Sequence, residues 1–471
     1  MTRLRACLSF ALIPATFAAC GPTVMIEGES PGDLGGVGAG FGGTGANAGT
    51  GANGAGANGG GTGANGGGGS LDQWAKAFGE GGHQHLRSLA ATPAGEIVVA
   101  GDFDGALAFE SSDLAQGGLR SAFVAKLDPK GKPIWSRALV ADECAAEAVA
   151  VDAAGNVLLT GFVKGTLTVA GQPITGGDGV FAAKLDAGGA LVWARTFGSS
   201  ASMQGDRGLG IAAGEQGVLL SGSYAGVIDF GGPSLPSGGG AFVAALDDAG
   251  DHLWSRGLPG SSALVAAGAG GQVFVATGSE GGQMTVRRLD ASGADGWSHA
   301  YAPGRIGAIT ADAAGNVLFA GSTTSADFGG GPLQKPLPNG EAFAVSLDAL
   351  GQHRFTRGLP FDTHQSDATA LALDAKGRVA VTGSYVHHVD SSTVIQSAFT
   401  AVLGDDGAIL GSQTFGPIEG YGSKVTQVGR GIAPAKAGGF YVGGDFYTAV
   451  LIAGASLTGA GSSDVFVAKL P

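Results

Sequence analysis

Basic residues are scarce in this chain: 26 lysines and arginines stand against 39 aspartates and glutamates, a formal net charge of −13 over 471 residues. That argues against a nucleic-acid binder, which needs a basic stripe to displace counterions. Charged residues of both signs amount to only 14 %, yet hydrophobic residues reach 44 %, enough for a core and too many for wholesale disorder. Beyond the N-terminus no stretch holds 18 uninterrupted apolar residues, so no later segment reads as a membrane span. No segment carries a sustained 3.6-residue apolar stripe, which excludes a helical bundle. Cysteine is limited to Cys7, Cys20 and Cys144. From Leu71 onward neither a Gly-x-Ser-x-Gly elbow nor a His-Glu-x-x-His pair is present, so no motif there announces serine-hydrolase or zincin chemistry.

What the chain has in excess is glycine, 91 residues, and the first block of it follows an export signal. Arg3 and Arg5 form a positive start, Leu8 to Phe17 an apolar core, and Ala18-Ala19-Cys20 a small-residue end. The segment resembles a bacterial lipobox, which implies that residues 1–19 are removed and that Cys20 carries lipid. Cys144 is then left without a partner and reads as a small buried hydrophobe. From Gly35 to Ser70 the chain is almost wholly Gly, Ala, Asn and Thr, without charge. Such a stretch buries too little apolar surface to offset its ordering entropy. Residues 20–70 are therefore expected to be a lipid-anchored tether, its glycine-rich part spanning about 30–36 Å r.m.s..

From Leu71 onward one unit recurs seven times. A landmark Trp stands at Trp74, Trp135, Trp193, Trp254 and Trp297, with Phe355 and Gly411 in its place in two degenerate copies; the spacings are 61, 58, 61, 43, 58 and 56 residues. A second landmark brackets alternating aliphatics with glycine, as in Gly95–Gly101, Gly155–Gly161, Gly315–Gly321, Gly377–Gly383 and Gly438–Gly444. The third is Phe-Val-Ala-Lys-Leu-Asp, at Phe123–Asp128 and, varied, at Phe181–Asp186, Phe242–Asp247, Phe343–Asp348 and Phe466–Leu470. The elements are short, rich in β-branched and aromatic residues, and bounded by Asp-x-x-Gly turns. Four strands per unit predict an all-β fold, a seven-bladed β-propeller of four-stranded antiparallel blades over residues 71–471. In the second unit these strands are expected near Ala148–Asp152, Val157–Phe162, Val180–Leu185 and Leu191–Phe197. Because residues 72–78 supply a fourth strand first and the last copy stops after its third, the N-terminal strand is expected to complete the last blade and remove its free edge.

The phrase Phe-Val-Ala-Lys-Leu-Asp, then Trp, then Gly-Asn-Val-x-x-x-Gly resembles the SBBP repeat, a seven-bladed propeller repeat of bacterial envelope proteins. The resemblance implies a fold and a cell-envelope address; with Gly21 after Cys20, it favours the outer membrane, its side left open. It implies no activity, since fold does not carry function. A looser resemblance to quinoprotein-like propellers rests on Lys126–Trp135 and Lys184–Trp193. It lacks paired cysteines and a calcium constellation, so no cofactor is expected.

Short turns occupy one face of such a ring. The other face receives the fourth-to-first and second-to-third connections, which vary and are where binding residues are expected. These include 79–86, 139–147, 198–207, 358–367 and 416–429, with His83, His85, Asp206, Arg207, Asp362, His364 and Tyr421 as candidates. His83 and His85 share one side of an extended strand, but no third and fourth ligand follow at a set spacing, so no metal site is expected. Asp102 and Asp104 lack the other donors of a calcium loop and read as turn formers. The recurring Lys and Asp of the third landmark read as structural. Two functions remain. The first is a non-catalytic module binding protein or polysaccharide partners, held to a membrane by its lipid. The alternative is a polymer-processing hydrolase or lyase using carboxylates such as Asp206 and Asp362 in the channel or on the variable face.

Overall fold

Alternating aliphatics between glycine turns form strands throughout, and the chain's computed structural model is all-β with antiparallel sheets. It describes residues 73–471 apart from 111, 199–204, 279–281, 334–338, 360, 362–364, 389–393 and 417–425. The expectations for residues 1–70, Cys20 included, and for Asp362, His364 and Tyr421 therefore fall outside the described residues. Among the described residues no helix is long and apolar enough to cross a membrane.

The first four-stranded group is Gln84–Ala91, Ile97–Phe103, Ser121–Leu127 and Pro133–Val140, paired in that order. The second is Glu143–Val151, Val157–Lys164, Gly179–Leu185 and Leu191–Phe197. Its last three strands match expectation closely. Its first strand does not: it begins at Glu143, five residues before Ala148, because the chain is already extended along its neighbour before the aliphatic run begins. The third group runs from Arg207–Gly214 to His252–Leu258 and the sixth from Gln365–Leu373 to Ile409–Phe415. The fourth and fifth share the strand Asp295–Ala311, whose first half closes one group and whose second half opens the next. The spacing of 43 residues falls in the fourth group, where only residues 279–282 join Val273–Gly278 to Gln283–Leu289. In the last group Trp74–Phe78 pairs with Asp464–Leu470, in register Trp74 to Lys469, beside Phe440–Phe446 and Gln427–Pro434.

Burial follows from this pairing. The second and third strands are sandwiched between others and buried at nearly every residue, Ile97–Phe103 and Ser121–Leu127 completely. Successive first strands pack against one another, and Gln84–Ala91 also packs against Gln427–Pro434. Cys144 is buried, its thiol donates to the Leu139 carbonyl at 3.2 Å, and burial pushes its pKa up to about 11. It serves as a small core residue.

The second-to-third connections were expected to be binding loops, and several are core instead. The hairpin Ala106–Phe109 with Ser112–Ala115 buries Leu107 and Phe109. Thr168–Val169, from the second group, pairs with the outer strand of the first, Thr168 facing Val140. Ile228, Phe230 and Leu235 fill the equivalent place in the third group, Val450 and Ile452 in the last. Neighbouring twisted sheets diverge toward their outer strands, and these segments fill the gap with apolar side chains.

The landmark Trp closes the junctions on the turn face. Trp135 pairs across strands with Lys126, and its indole N–H donates to the Ala187 carbonyl of the next group's turn at 3.1 Å. Trp74, Trp193, Trp254 and Trp297 do the same to Pro129, Asp248, Ala291 and Ala349, at 2.9–3.2 Å. Each ring lies on the turn glycine, Gly189 under Trp135, where a Cβ would collide with the indole. Lys184 adds a second tie, its Nζ 3.2 Å from Asp152 of its own group and 3.0 Å from Asp248 of the next. The Asp of the motif caps the turn, Asp128 Oδ1 accepting from the Lys130 and Lys132 backbone N–H at 2.8 Å. Gly411 is degenerate for a reason. The group after it has no turn between its third and outer strands, because those are the two ends of the repeat region, Asp464–Leu470 and Trp74–Phe78. A Trp there would have no carbonyl to meet.

Candidate functional site

The first strands carry a β-bulge in the same place. The pairing skips one residue at Arg87, Glu147, Leu209, Gly307, Thr369 and Arg430. A bulge bends its strand and re-aims the extra side chain. It also pushes the first strand's carbonyl toward the second strand. That is why glycine stands opposite: a Cβ on Gly101 would overlap the His85 carbonyl, and Gly161, Gly222, Gly321, Gly383 and Gly444 are in the same position. The crowding at these glycines comes from the bulge within the group and not from a neighbouring one.

The six residues at the bulges differ in chemistry, and the charged ones are contiguous across the last, first and second groups. Arg87 Nε lies 2.6 Å from Asp102 Oδ1 and 3.9 Å from Glu147 Oε2. Arg120 spans Asp102, at 3.4 Å, and Glu143, at 2.5 Å. Arg207 Nη1 reaches Glu147 at 3.5 Å. On the other flank Arg430 Nε is 3.2 Å from Asp445 Oδ2, and Asp445 Oδ1 accepts the Leu86 N–H at 2.6 Å. The guanidinium carbons of Arg120 and Arg207 stand 5.4 and 4.5 Å from the centre of the Phe162 ring, which supports both.

The two signs are not equally exposed. Asp102 and Asp445 side chains are 1 % and 4 % exposed, whereas Arg120, Arg207 and Arg430 are 28–33 % exposed. Guanidinium therefore faces solvent with carboxylate behind it. Burial disfavours the charge on Arg87, but Glu147, Asp102 and Asp445 outweigh it and hold the group well above its ordinary range. Burial likewise opposes ionisation of Asp445, yet His85, Arg430 and the Leu86 N–H keep its carboxyl below the usual carboxylate range. The network is pre-formed, held by these contacts within the chain.

Two of the candidates read from sequence join it. His85 Nδ1 lies 3.7 Å from Asp445 Oδ2, and the rings of His83 and His85 stack with centroids 6.1 Å apart. Arg207 joins through Glu147 and Phe162. Asp206 does not: it is buried, and its Oδ1 accepts the Ala225 N–H at 2.8 Å. Asp102 proves to be the central acid of the network rather than a turn former, since the bulge brings Arg87 across to it. Asp104 does hold a turn, accepting the His83 N–H at 2.7 Å. Among the described residues no three His, Cys, Asp or Glu side chains group as a metal site.

Sequence reading missed Arg87, Glu147 and Arg430. Their signal was a column in the repeats, a polar residue flanked by apolar or small ones in Leu86-Arg87-Ser88, Ala146-Glu147-Ala148 and Gly429-Arg430-Gly431. A bulge position becomes visible only when the copies are aligned on their glycines.

No family model and no curated protein matches the chain. Solved structures similar to it include a protein of unknown function from Dyadobacter fermentans, at 10 % identity and TM-score 0.37, covering 85 % of this chain and all of that one. The C-terminal WD40 domain of Sif2 is similar at 9 % identity and TM-score 0.37, again over 85 % of this chain and all of that one. A glucose dehydrogenase is similar at 11 % identity and TM-score 0.34, over 84 % of this chain and 99 % of that one. The charged layer is defined by strand pairing and side-chain geometry in this chain, independently of those likenesses.

Proposed function

We propose that the chain is an envelope lipoprotein, lipidated at Cys20 and tethered through residues 20–70. In this reading residues 71–471 form a closed seven-bladed β-propeller serving as a non-catalytic binding module, and its ligand is a carboxylate-bearing polymer, polysaccharide or acidic protein segment. The ring is supported by the packing of each first strand on the next, back to Gln84–Ala91, and by the pairing of Trp74–Phe78 with Asp464–Leu470. The ligand class rests on one observation: half-exposed guanidiniums of Arg120, Arg207 and Arg430, each backed by a buried or half-buried carboxylate, in a chain of net charge −13. An arginine fork held open in this way meets a carboxylate with two parallel hydrogen bonds. Binding fits better than hydrolysis, because the acids of the network are tied to arginines and Asp206 to backbone.

The test is binding of polygalacturonate and poly-glutamate, with dextran as the neutral control. Binding of one carboxylated polymer, weakened by salt and by about 10-fold or more in Arg120→Ala with Arg207→Ala, is expected. Equal binding of dextran, no binding of either polyanion, or release of shortened chains overturns the reading.

A further inference from the structure

A junction on the turn face is open. Between the fifth and sixth groups lies a cavity of about 380 Å³, lined among others by Asp312, Leu318, Arg354, Phe355, Asp374 and Asp405. It sits where two clasp residues are truncated together. Phe355 holds the place of the Trp; its ring still covers Gly407, but it has no N–H for the Asp405 carbonyl. Ser346, opposite Phe355 across the strands, holds the place that Lys126 and Lys184 hold opposite Trp135 and Trp193. The junction between the third and fourth groups keeps Trp254 but has Ala245 for the lysine, and its cavity is about 20 Å³. Of these two junctions, the one that lacks both clasp residues holds the larger void.

The acids that the lysine would meet are still there. Lys184 Nζ lies between Asp152 and Asp248. Asp312 occupies the turn position of Asp152, accepting the Ala314 and Asn316 backbone N–H at 2.9 and 2.8 Å as Asp152 accepts those of Ala154 and Asn156. Asp405 stands two residues before Gly407 as Asp248 stands two before Gly250. Arg354 does not take over: it donates to Ser346 Oγ at 3.3 Å and forms no ion pair with either acid among the described residues. Asp374, a third acid on the wall, is held below the usual carboxylate range: Arg378 and the turn N–H groups outweigh the opposing effect of burial. The cavity is therefore negatively charged, walled by Leu318 and the Phe355 ring, and short of one ammonium and one ring N–H.

We propose that this cavity binds a small primary ammonium carried on a flat aromatic ring, its ammonium placed where the lysine is elsewhere and its ring lying against Leu318 and the Phe355 ring. The inference is independent of the ligand proposed for the bulge network.

Tryptamine is the probe, with indole-3-propionate as the same ring of opposite charge, each titrated by calorimetry into the full chain. A dissociation constant of about 1 mM suits a ligand of this size. Indole-3-propionate should bind at least about 10-fold more weakly. Ser346→Lys with Phe355→Trp, which restores the clasp, should abolish tryptamine binding and raise the melting temperature. Asp405→Asn, at an exposed turn position, should weaken tryptamine by about 10-fold with the fold intact, and it decides the question if the double variant does not fold. No binding at about 10 mM, equal affinity for the two ring compounds, or unchanged affinity in Asp405→Asn overturns the proposal.

Discussion

The turn face and the bulge layer are built from the same repeats and treat them in opposite ways. On the turn face five junctions perform one act, an indole N–H donated to the next group's carbonyl over a glycine. In the bulge layer six strands share a backbone device and place different residues at it, Arg, Glu, Leu, Gly, Thr and again Arg. A contact repeated at five junctions holds those groups together. A side chain that changes while its backbone stays constant is free to recognise something. The difference separates structural from functional residues where no motif does.

This contrast can be broken in measurable ways. Trp193→Ala removes a buried ring, its hydrogen bond and its cover over Gly250, and should cost about 4–5 kcal/mol by denaturant unfolding. A loss below about 1 kcal/mol would mean that the clasp is not what joins the groups. Arg87→Ala leaves Asp102 buried beside an emptied site and should cost about 3 kcal/mol at neutral pH. Arg207→Ala, at the solvent edge of the same layer, should cost under about 1 kcal/mol, so unequal effects mark the bulge layer.

A smaller effect concerns Glu341, buried at the start of its strand without a hydrogen bond to Oε2. Burial pushes its pKa up to about 7 from an ordinary 4.5. The folded state then binds the proton more tightly than the unfolded one, so stability is full below pH 4.5 and declines as pH rises toward 7. Glu341→Gln should therefore stabilise by about 1–3 kcal/mol at pH 8 and much less at pH 4. A pH-independent difference between the two proteins would refute the burial argument. A further small change is Trp135→Phe, which keeps the ring and loses the N–H, at about 1 kcal/mol. The same value is expected for Trp254→Phe. Unequal costs would show that the junctions are less alike than their hydrogen bonds.

The turn face was legible in the sequence, because what repeats in space repeats in letters. The Trp, the glycines and the Asp-x-x-Gly turns located most boundaries of the four paired strands, but not the added strands of the second-to-third connections or the strand that two groups share. Arg87 and Asp102 were not legible as partners: they lie on different strands, and only an unpaired residue in the register brings them together. The apolar connections were misread for the opposite reason. Leu107, Phe109, Ile228 and Phe230 sit in segments rich in turn residues, whose composition resembles surface loop while their hydrophobes fill gaps between sheets. Asp206 shows the limit of residue type as a guide, since its carboxylate is spent on a backbone amide.

The pairing of Trp74–Phe78 with Asp464–Leu470 also sets an order of events during synthesis. The first strand to leave the ribosome waits for one of the last, while the six intervening groups can each complete from nearby segments. A nascent chain is thus left with a bare sheet edge and an unmatched strand until Asp464–Leu470 has emerged. A contact of such long range closes slowly, and during that interval the partly built chain is at its most vulnerable to pairing with another copy of itself. Truncations that remove only Asp464–Leu470 should therefore aggregate out of proportion to the few residues lost.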